Sequence, residues 1–257
     1  MMGAVAVKTL GGAGPDTVLI HGFGSDRLSW AGNSPALMTV SRVHALDLPG
    51  HGESCPDVGD GSVDALADRV AGALDQTGIG RAHLVGHSLG GAVALVLAEQ
   101  HPERVASLTL IAPAGLGQQL DRNLLERLPA LDDAEDILAL LRTLVARPAL
   151  INKMTAQRVL GQLAREGARN ALIAIASGLL ASEDRIRSAA ESVSARAVPR
   201  LVLWGAEDAI YPLDQARTEA FGGDLHQIPA AGHLPHIEAF KTANDLMTTF
   251  LSSQSAG

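Results

Sequence analysis

Gly86-His87-Ser88-Leu89-Gly90-Gly91 sets a serine between two glycines in the pattern G-x-S-x-G. An apolar run at 82–85 precedes it, and a helical pattern at 89–100 follows. On a tight strand-to-helix turn the serine is strained and its hydroxyl exposed, and side chains at Gly86 or Gly90 would collide with the turn. The start of a helix also favours negative charge developing nearby. With 27 glycines in 257 residues, about 0.2 such matches arise by chance. The strand and helix around the motif therefore carry the reading; without them it is a glycine-rich turn with an inert serine.

A serine hydroxyl becomes a nucleophile only when a base takes its proton. Of nine histidines, His233 lies in Ala230-Ala231-Gly232-His233, after the last strand pattern and before the last helix. His87 adjoins the serine, but the turn should direct its side chain elsewhere. His44 and His83 alternate within strand patterns and read as core residues. His101, beside Pro102, suits a helix end. His236 is the nearest rival and is expected to begin the last helix. The histidine in turn needs an orienting carboxylate. Asp208 follows a strand in Trp204-Gly205-Ala206-Glu207-Asp208; Glu207 and Asp214 are its rivals, and a turn or capping aspartate is the plain alternative. The developing oxyanion needs N–H donors. Leu89, at the helix start, offers one. Phe23, in His21-Gly22-Phe23-Gly24, offers the other, with Gly22 and Gly24 permitting close approach; an ordinary glycine turn is the alternative there.

These groups meet only if strands and helices bring them together. Short apolar runs at 17–21, 42–47, 81–86, 105–112, 200–205 and 225–229 suit strands covered on both faces. Ser62 is placed to cap a helix bearing Val63, Leu66, Val70 and Leu74, with Gly78 beyond it. Ala243, Leu246, Met247, Phe250 and Leu251 share one face of a last helix. Alternating strand and helix implies an α/β fold with a mostly parallel central sheet flanked by helices. The alternation stops at about 116–197, which reads as helices only. Asp132 or Asp133, Thr155 and Asn170 are the candidate caps there. The expected division is a core of residues 1–115 and 198–257, interrupted by a helical lid at 116–197 over the edge where such sheets place ligands.

Composition narrows the classes. Lys+Arg 20 against Asp+Glu 28 leaves a net charge of −8, which argues against nucleic acid or an anionic membrane surface as partner. Only 3% of residues are aromatic, so base stacking is disfavoured and an aliphatic pocket is expected. A packed core fits 47% hydrophobic and 19% charged residues. The single cysteine, Cys55, excludes an internal disulfide framework and a cysteine-clustered metal site. MMGAVAVKTL does not read as a signal peptide, and no apolar run reaches bilayer length. A cytoplasmic protein without metal or organic cofactor is expected.

Taken jointly and in order, five segments resemble the α/β-hydrolase superfamily: His21–Gly24, Asp47-Leu48-Pro49-Gly50-His51-Gly52-Glu53-Ser54, Gly86–Gly91, Gly205–Asp208, and Gly232-His233. The resemblance implies a Ser88, Asp208, His233 triad and a purely structural turn at 47–54. Val58-Gly59-Asp60-Gly61-Ser62 and Ile111-Ala112-Pro113-Ala114-Gly115-Leu116-Gly117 look like the hydrolase-like domain of the acyltransferase component of bacterial acetoin dehydrogenase complexes. In that family a lipoyl domain commonly precedes this one; none is expected here, and the His-x-x-x-Asp-Gly signature of true lipoyl acyltransferases is lacking. The expectation is a serine hydrolase acting on an ester, thioester or related acyl bond of a small molecule. Alternatives are an acyltransferase associated with a dehydrogenase complex, a carbon–carbon bond hydrolase or perhydrolase, and a non-catalytic small-molecule binder. Ser88 argues against dehalogenases and epoxide hydrolases, which use aspartate. Leu234 and Pro235 stand where carbon–carbon hydrolases usually carry tryptophan, although Trp30 and Asn33 are faintly similar to their early segment.

Overall fold

Every residue of the segment Ala82–His87 is buried, as its apolar character requires of a central strand. The computed structural model describes residues 4–254 and sets this segment in the middle of a seven-stranded sheet. In chain order the strands are β1 (Val7–Gly11), β2 (Asp16–Ile20), β3 (Arg42–Leu46), β4 (Ala82–His87), β5 (Val105–Ile111), β6 (Arg200–Gly205) and β7 (Asp224–Ile228). Across the sheet they run β1-β3-β2-β4-β5-β6-β7. Only β1, at the edge beside β3, is antiparallel.

Alternate residues of the strands feed two cores, because successive side chains point to opposite faces. Val18, Ile20, Leu46 and Leu84 join the core shared with α2 (Val63–Gln76) and α3 (Leu89–Gln100). Leu19, Ala45, Val85 and Leu203 join the core on the other face, which receives Ala243, Met247 and Leu251 of the last helix. α3 buries every residue from Leu89 to Ala98, as befits a helix apolar all round. Its placement matters for the site, because its first turn begins at Ser88.

Strand order reverses at β2. The chain steps from β2 to β3 through α1 (Ser34–Leu37), then α2 carries it back across to β4. Such a switch point leaves a crevice at the C-terminal ends of the strands on either side. In register, Ile20 of β2 pairs with Gly86 of β4, so the loops at Gly22 and Ser88 leave the sheet side by side.

Between β5 and β6 the chain forms α4 (Asn123–Arg127), α5 (Ala134–Arg142), α6 (Lys153–Leu163), α7 (Ala168–Ala181) and α8 (Glu183–Ser194), with no strand among the described residues. α9 (Gln215–Phe221) joins β6 to β7, and α10 (Pro235–Glu238) and α11 (Phe240–Gln254) close the chain. Ser62 caps α2 by accepting the N–H of Ala65, and Asp133 caps α5 by accepting those of Glu135 and Asp136. Two other expected caps are misplaced. α6 begins earlier than Thr155, on Asn152, whose side chain accepts the Thr155 N–H at 3.0 Å; asparagine is the stronger cap. α7 starts after Gly167, in a left-handed conformation at φ 77°, which leaves Asn170 inside the helix. His236 does not begin the last helix; it sits in the single turn α10.

Candidate active site

The turn at Ser88 is a strained one: its φ is 52°, in a region that side-chain-bearing residues rarely occupy. The surroundings hold it there. The Ser88 N–H donates to the carbonyl of Ile111 on β5, and the Ser88 carbonyl accepts from Gly91, Ala92 and Ala114. A Cβ on Gly86 would lie 2.4 Å from the Gly90 carbonyl oxygen, and one on Gly90 would lie 2.2 Å from that of Ile20. Only glycine fits at both positions.

His233 comes from the loop after β7, and Asp208 from the loop after β6. The Ser88 Oγ and His233 Nε2 are 3.1 Å apart, and His233 Nδ1 lies 2.8 Å from Asp208 Oδ2. A carboxylate only accepts, so Nδ1 carries the proton and the Nε2 lone pair faces the serine hydroxyl. The other oxygen of Asp208 accepts the N–H groups of Ile210 and Tyr211 at 3.0 and 2.9 Å, which fixes the carboxylate. His233 and Asp208 are both buried. Of the rival carboxylates, Glu207 is exposed and Asp214 caps α9 through the N–H of Arg217.

The rival histidines take other places. His44 lies between Thr9 and Asp16, His83 bonds Ser107, and His101 ends α3. His87 and His236 are closer to the centre than the sequence indicates. The Nε2–H of His87 donates to the carbonyl of His233 at 2.9 Å, and its ring lies 4.7 Å from that of His236. Burial, together with the neighbouring imidazoles, holds His87 well below the usual histidine range and His236 down to about 3. Both stay neutral where Ser88 chemistry would run.

Phe23 stands in the cavity wall beside Ser88, and Leu89 opens α3. Among the described residues neither backbone N–H has an acceptor. The loop carrying Phe23 is gripped on both sides. The Gly24 N–H donates to His51 Nε2 at 3.0 Å, and the Gly22 carbonyl accepts from His21 Nδ1 at 2.8 Å. His51 also donates to Pro49, and His21 accepts the Leu48 N–H, so the 47–54 turn braces this loop. Burial lowers His21 and takes His51 to about 3, which keeps both Nε2 atoms free as acceptors. A Cβ on Gly22 would lie 2.7 Å from His87 Nδ1 and 3.3 Å from Ser88 Cβ. Close approach, rather than an unusual φ, requires glycine at this position.

The cavity above Ser88 is walled by Leu124, Leu141, Leu144, Ile151 and Val159 from the helical insertion. It is less uniformly aliphatic than the composition leads one to expect: Ser25, Ser29, Thr155, Arg158 and Gln162 also line it. Thr155 was expected only as a helix cap, and the other four were not expected at the site. Arg158 and Gln162 stand four apart on α6 and share a face. Among the described residues no group of three or more His, Cys, Asp or Glu is arranged to hold a metal ion, and no helix is long and apolar enough to cross a membrane.

Chemically, the arrangement offers an activated hydroxyl, a base on a fixed carboxylate, and two uncommitted N–H groups around one apolar cavity. Over 243 residues the chain is 41% identical to the dihydrolipoyllysine-residue acetyltransferase component of the acetoin cleaving system of Pseudomonas putida, covering 94% of this chain. It spans 65% of that relative's length. It is 32% identical over 249 residues to the 2-hydroxy-6-oxononadienedioate/2-hydroxy-6-oxononatrienedioate hydrolase of Burkholderia vietnamiensis, covering 91% of this chain and 86% of that one. The fold matches the 2-hydroxy-6-oxo-6-phenylhexa-2,4-dienoate hydrolase of a Rhodococcus strain with a TM-score of 0.86, at 22% identity, over 97% of this chain and 95% of the other. The model of the alpha/beta hydrolase fold matches residues 18–240, and the chain belongs to that family.

Proposed function

We propose that the protein is a serine hydrolase that cleaves an ester, thioester or related acyl bond of a small molecule. The observation that carries this is the unbroken chain Ser88 Oγ, His233 Nε2, His233 Nδ1, Asp208 Oδ2, with links of 3.1 and 2.8 Å. Ser88 Oγ attacks the acyl carbon while His233 Nε2 takes its proton, and Asp208 stabilises the imidazolium. The N–H groups of Phe23 and Leu89 receive the oxyanion. Collapse of the adduct expels the leaving group, which takes the proton from His233 and leaves an acyl group on Ser88. His233 then deprotonates a water that attacks the acyl carbon; the acid departs and Ser88 regains its proton. Residues 116–197 act as a lid on the core formed by residues 1–115 and 198–257, giving the acyl cavity its apolar wall.

Ser88→Ala is expected to lower ester turnover by at least about a thousandfold and to abolish labelling by a fluorophosphonate, with an unchanged thermal midpoint. Wild-type protein that neither labels nor turns over short acyl esters and thioesters would overturn the reading.

A second reading is favoured by the relative named as an acetyltransferase component of an acetoin cleaving system. The same acyl-enzyme is then taken by a thiol instead of water, in association with a dehydrogenase complex. Partition of the acyl group between water and added coenzyme A or dihydrolipoamide decides between the two.

A further inference from the structure

Among the described residues Arg158 is the only arginine or lysine lining the cavity at Ser88. It stands in the wall between that cavity and an outer groove, and Gln162 shares this position. Its Nε lies 3.6 Å from Oδ2 of the buried Asp26, and it donates a hydrogen bond to none of the described residues. The hydrogen bonds of Asp26 do not depend on it. The Leu28 N–H satisfies Oδ1 at 2.8 Å, and the side-chain amide of Gln162 satisfies Oδ2. The guanidinium is thus held by Coulomb attraction at one edge while both terminal nitrogens stay uncommitted.

Over the whole groove Arg27, Arg158 and Arg165 balance Asp26, Asp47 and Glu53, so what the groove offers an anion is uncommitted donors rather than excess charge. Its other carboxylates, Asp47 and Glu53, are both paired with Arg27. Arg165, also on the groove, has no side-chain partner among the described residues. A planar fork with two free N–H edges matches a carboxylate or a phosphate. The adjoining aliphatic wall lowers the local dielectric and strengthens such a pair. A molecule with a net charge of −8 otherwise repels anions, so a local cation is where an anionic substrate would be gripped.

We propose that Arg158 binds an anionic group of the substrate. Resting on the hydrolase reading above, the substrate is then an acyl ester or thioester whose far end carries a carboxylate or phosphate that reaches the Arg158 wall. The anion belongs either to the acyl chain or to the leaving group, and matched probes separate the two. Monoethyl glutarate against ethyl valerate tests a carboxylate on the acyl chain. Butyryl-coenzyme A against S-butyryl-N-acetylcysteamine tests phosphates on the leaving group.

The readout is the ratio of kcat/KM for the charged and the neutral member of each pair, so a general loss of activity cancels. Wild-type protein is expected to favour the charged member of one pair. Arg158→Ala should lower that ratio by at least about tenfold, with Arg158→Lys in between, as expected for a lost charged hydrogen bond. Binding of glutarate against valerate, and of coenzyme A against N-acetylcysteamine, measured by calorimetry on Ser88→Ala protein, tests the subsite without turnover. Charged-ligand preference that Arg158→Ala erases, in protein that never turns over an ester, would sink the hydrolase reading and leave the subsite. Ester turnover with ratios near one in wild type, or ratios that Arg158→Ala leaves unchanged, would overturn the subsite and leave the hydrolase reading.

Discussion

His51 shows how one residue outside the proposed triad conditions the proposed oxyanion site. Its Nε2 accepts the Gly24 N–H only while the ring is neutral, and burial keeps it neutral. Removing that acceptor frees the Phe23 loop, whose N–H receives the oxyanion under the proposed mechanism. His51→Ala should therefore lower kcat by about ten- to a hundredfold with KM changed much less, because the lost interaction serves the transition state. Steady-state kinetics with a short acyl ester would check it; equal changes in kcat and KM would mean the loop only shapes the pocket. Gly90→Ala belongs to the same scale. Its Cβ would press the Ile20 carbonyl at 2.2 Å, and backbone cannot swing aside, so a loss of at least about 2 kcal/mol is expected in urea unfolding. That Ser88, Asp208 and His233 meet was readable in advance because each follows a strand pattern in a short glycine-bearing motif. Arg158 was not, because nothing in a helical sequence tells which exposed face looks into a cavity.

At the scale of elements, the base loop and the helical insertion are joined by one buried side chain. Glu238, in α10, accepts the Gly232 N–H with one carboxylate oxygen and the Ala146 N–H with the other, at 2.7 and 2.8 Å. Its own carbonyl accepts from Arg147. Glu238→Ala would strand two N–H groups and is expected to lower stability by about 2–4 kcal/mol, read as a shifted urea midpoint. Turnover should fall as well, since Gly232 precedes His233. Glu238→Gln, which keeps one acceptor, should fall between. Such a tie between distant segments leaves no local pattern. The central strands were legible because burial on both faces demands continuous apolar runs. β1 was not, since three of its five residues are exposed and an edge strand needs no such run. The caps Ser62 and Asp133 were legible, whereas that of α6 was misjudged where Asn152 and Thr155 competed.

For the whole molecule, the buried imidazoles dictate an acid limit. His21, His51, His87 and His236 all have folded-state pKa values pushed below 6.5, mainly by burial. In the unfolded chain they take up protons near pH 6.5. Below that pH the unfolded state binds more protons, so stability is full above about 6.5 and declines as pH falls. At pH 5 one such histidine withdraws about 2 kcal/mol. Urea midpoints are expected to drop between pH 7.5 and 5, and a His51→Gln variant should show a shallower drop. A flat profile would place these rings in wetter surroundings.

The backbone N–H of His233 donates to the carbonyl of Leu144 at 2.8 Å, and Leu144 also walls the cavity. The residue that would move the proton therefore hangs from the segment that shapes the pocket. Transplanting residues 116–197 from a relative onto this sheet would then re-aim the imidazole along with the pocket. A working chimera has to exchange residues 230–238 in the same step, so selectivity and proton transfer are inherited together as one graft.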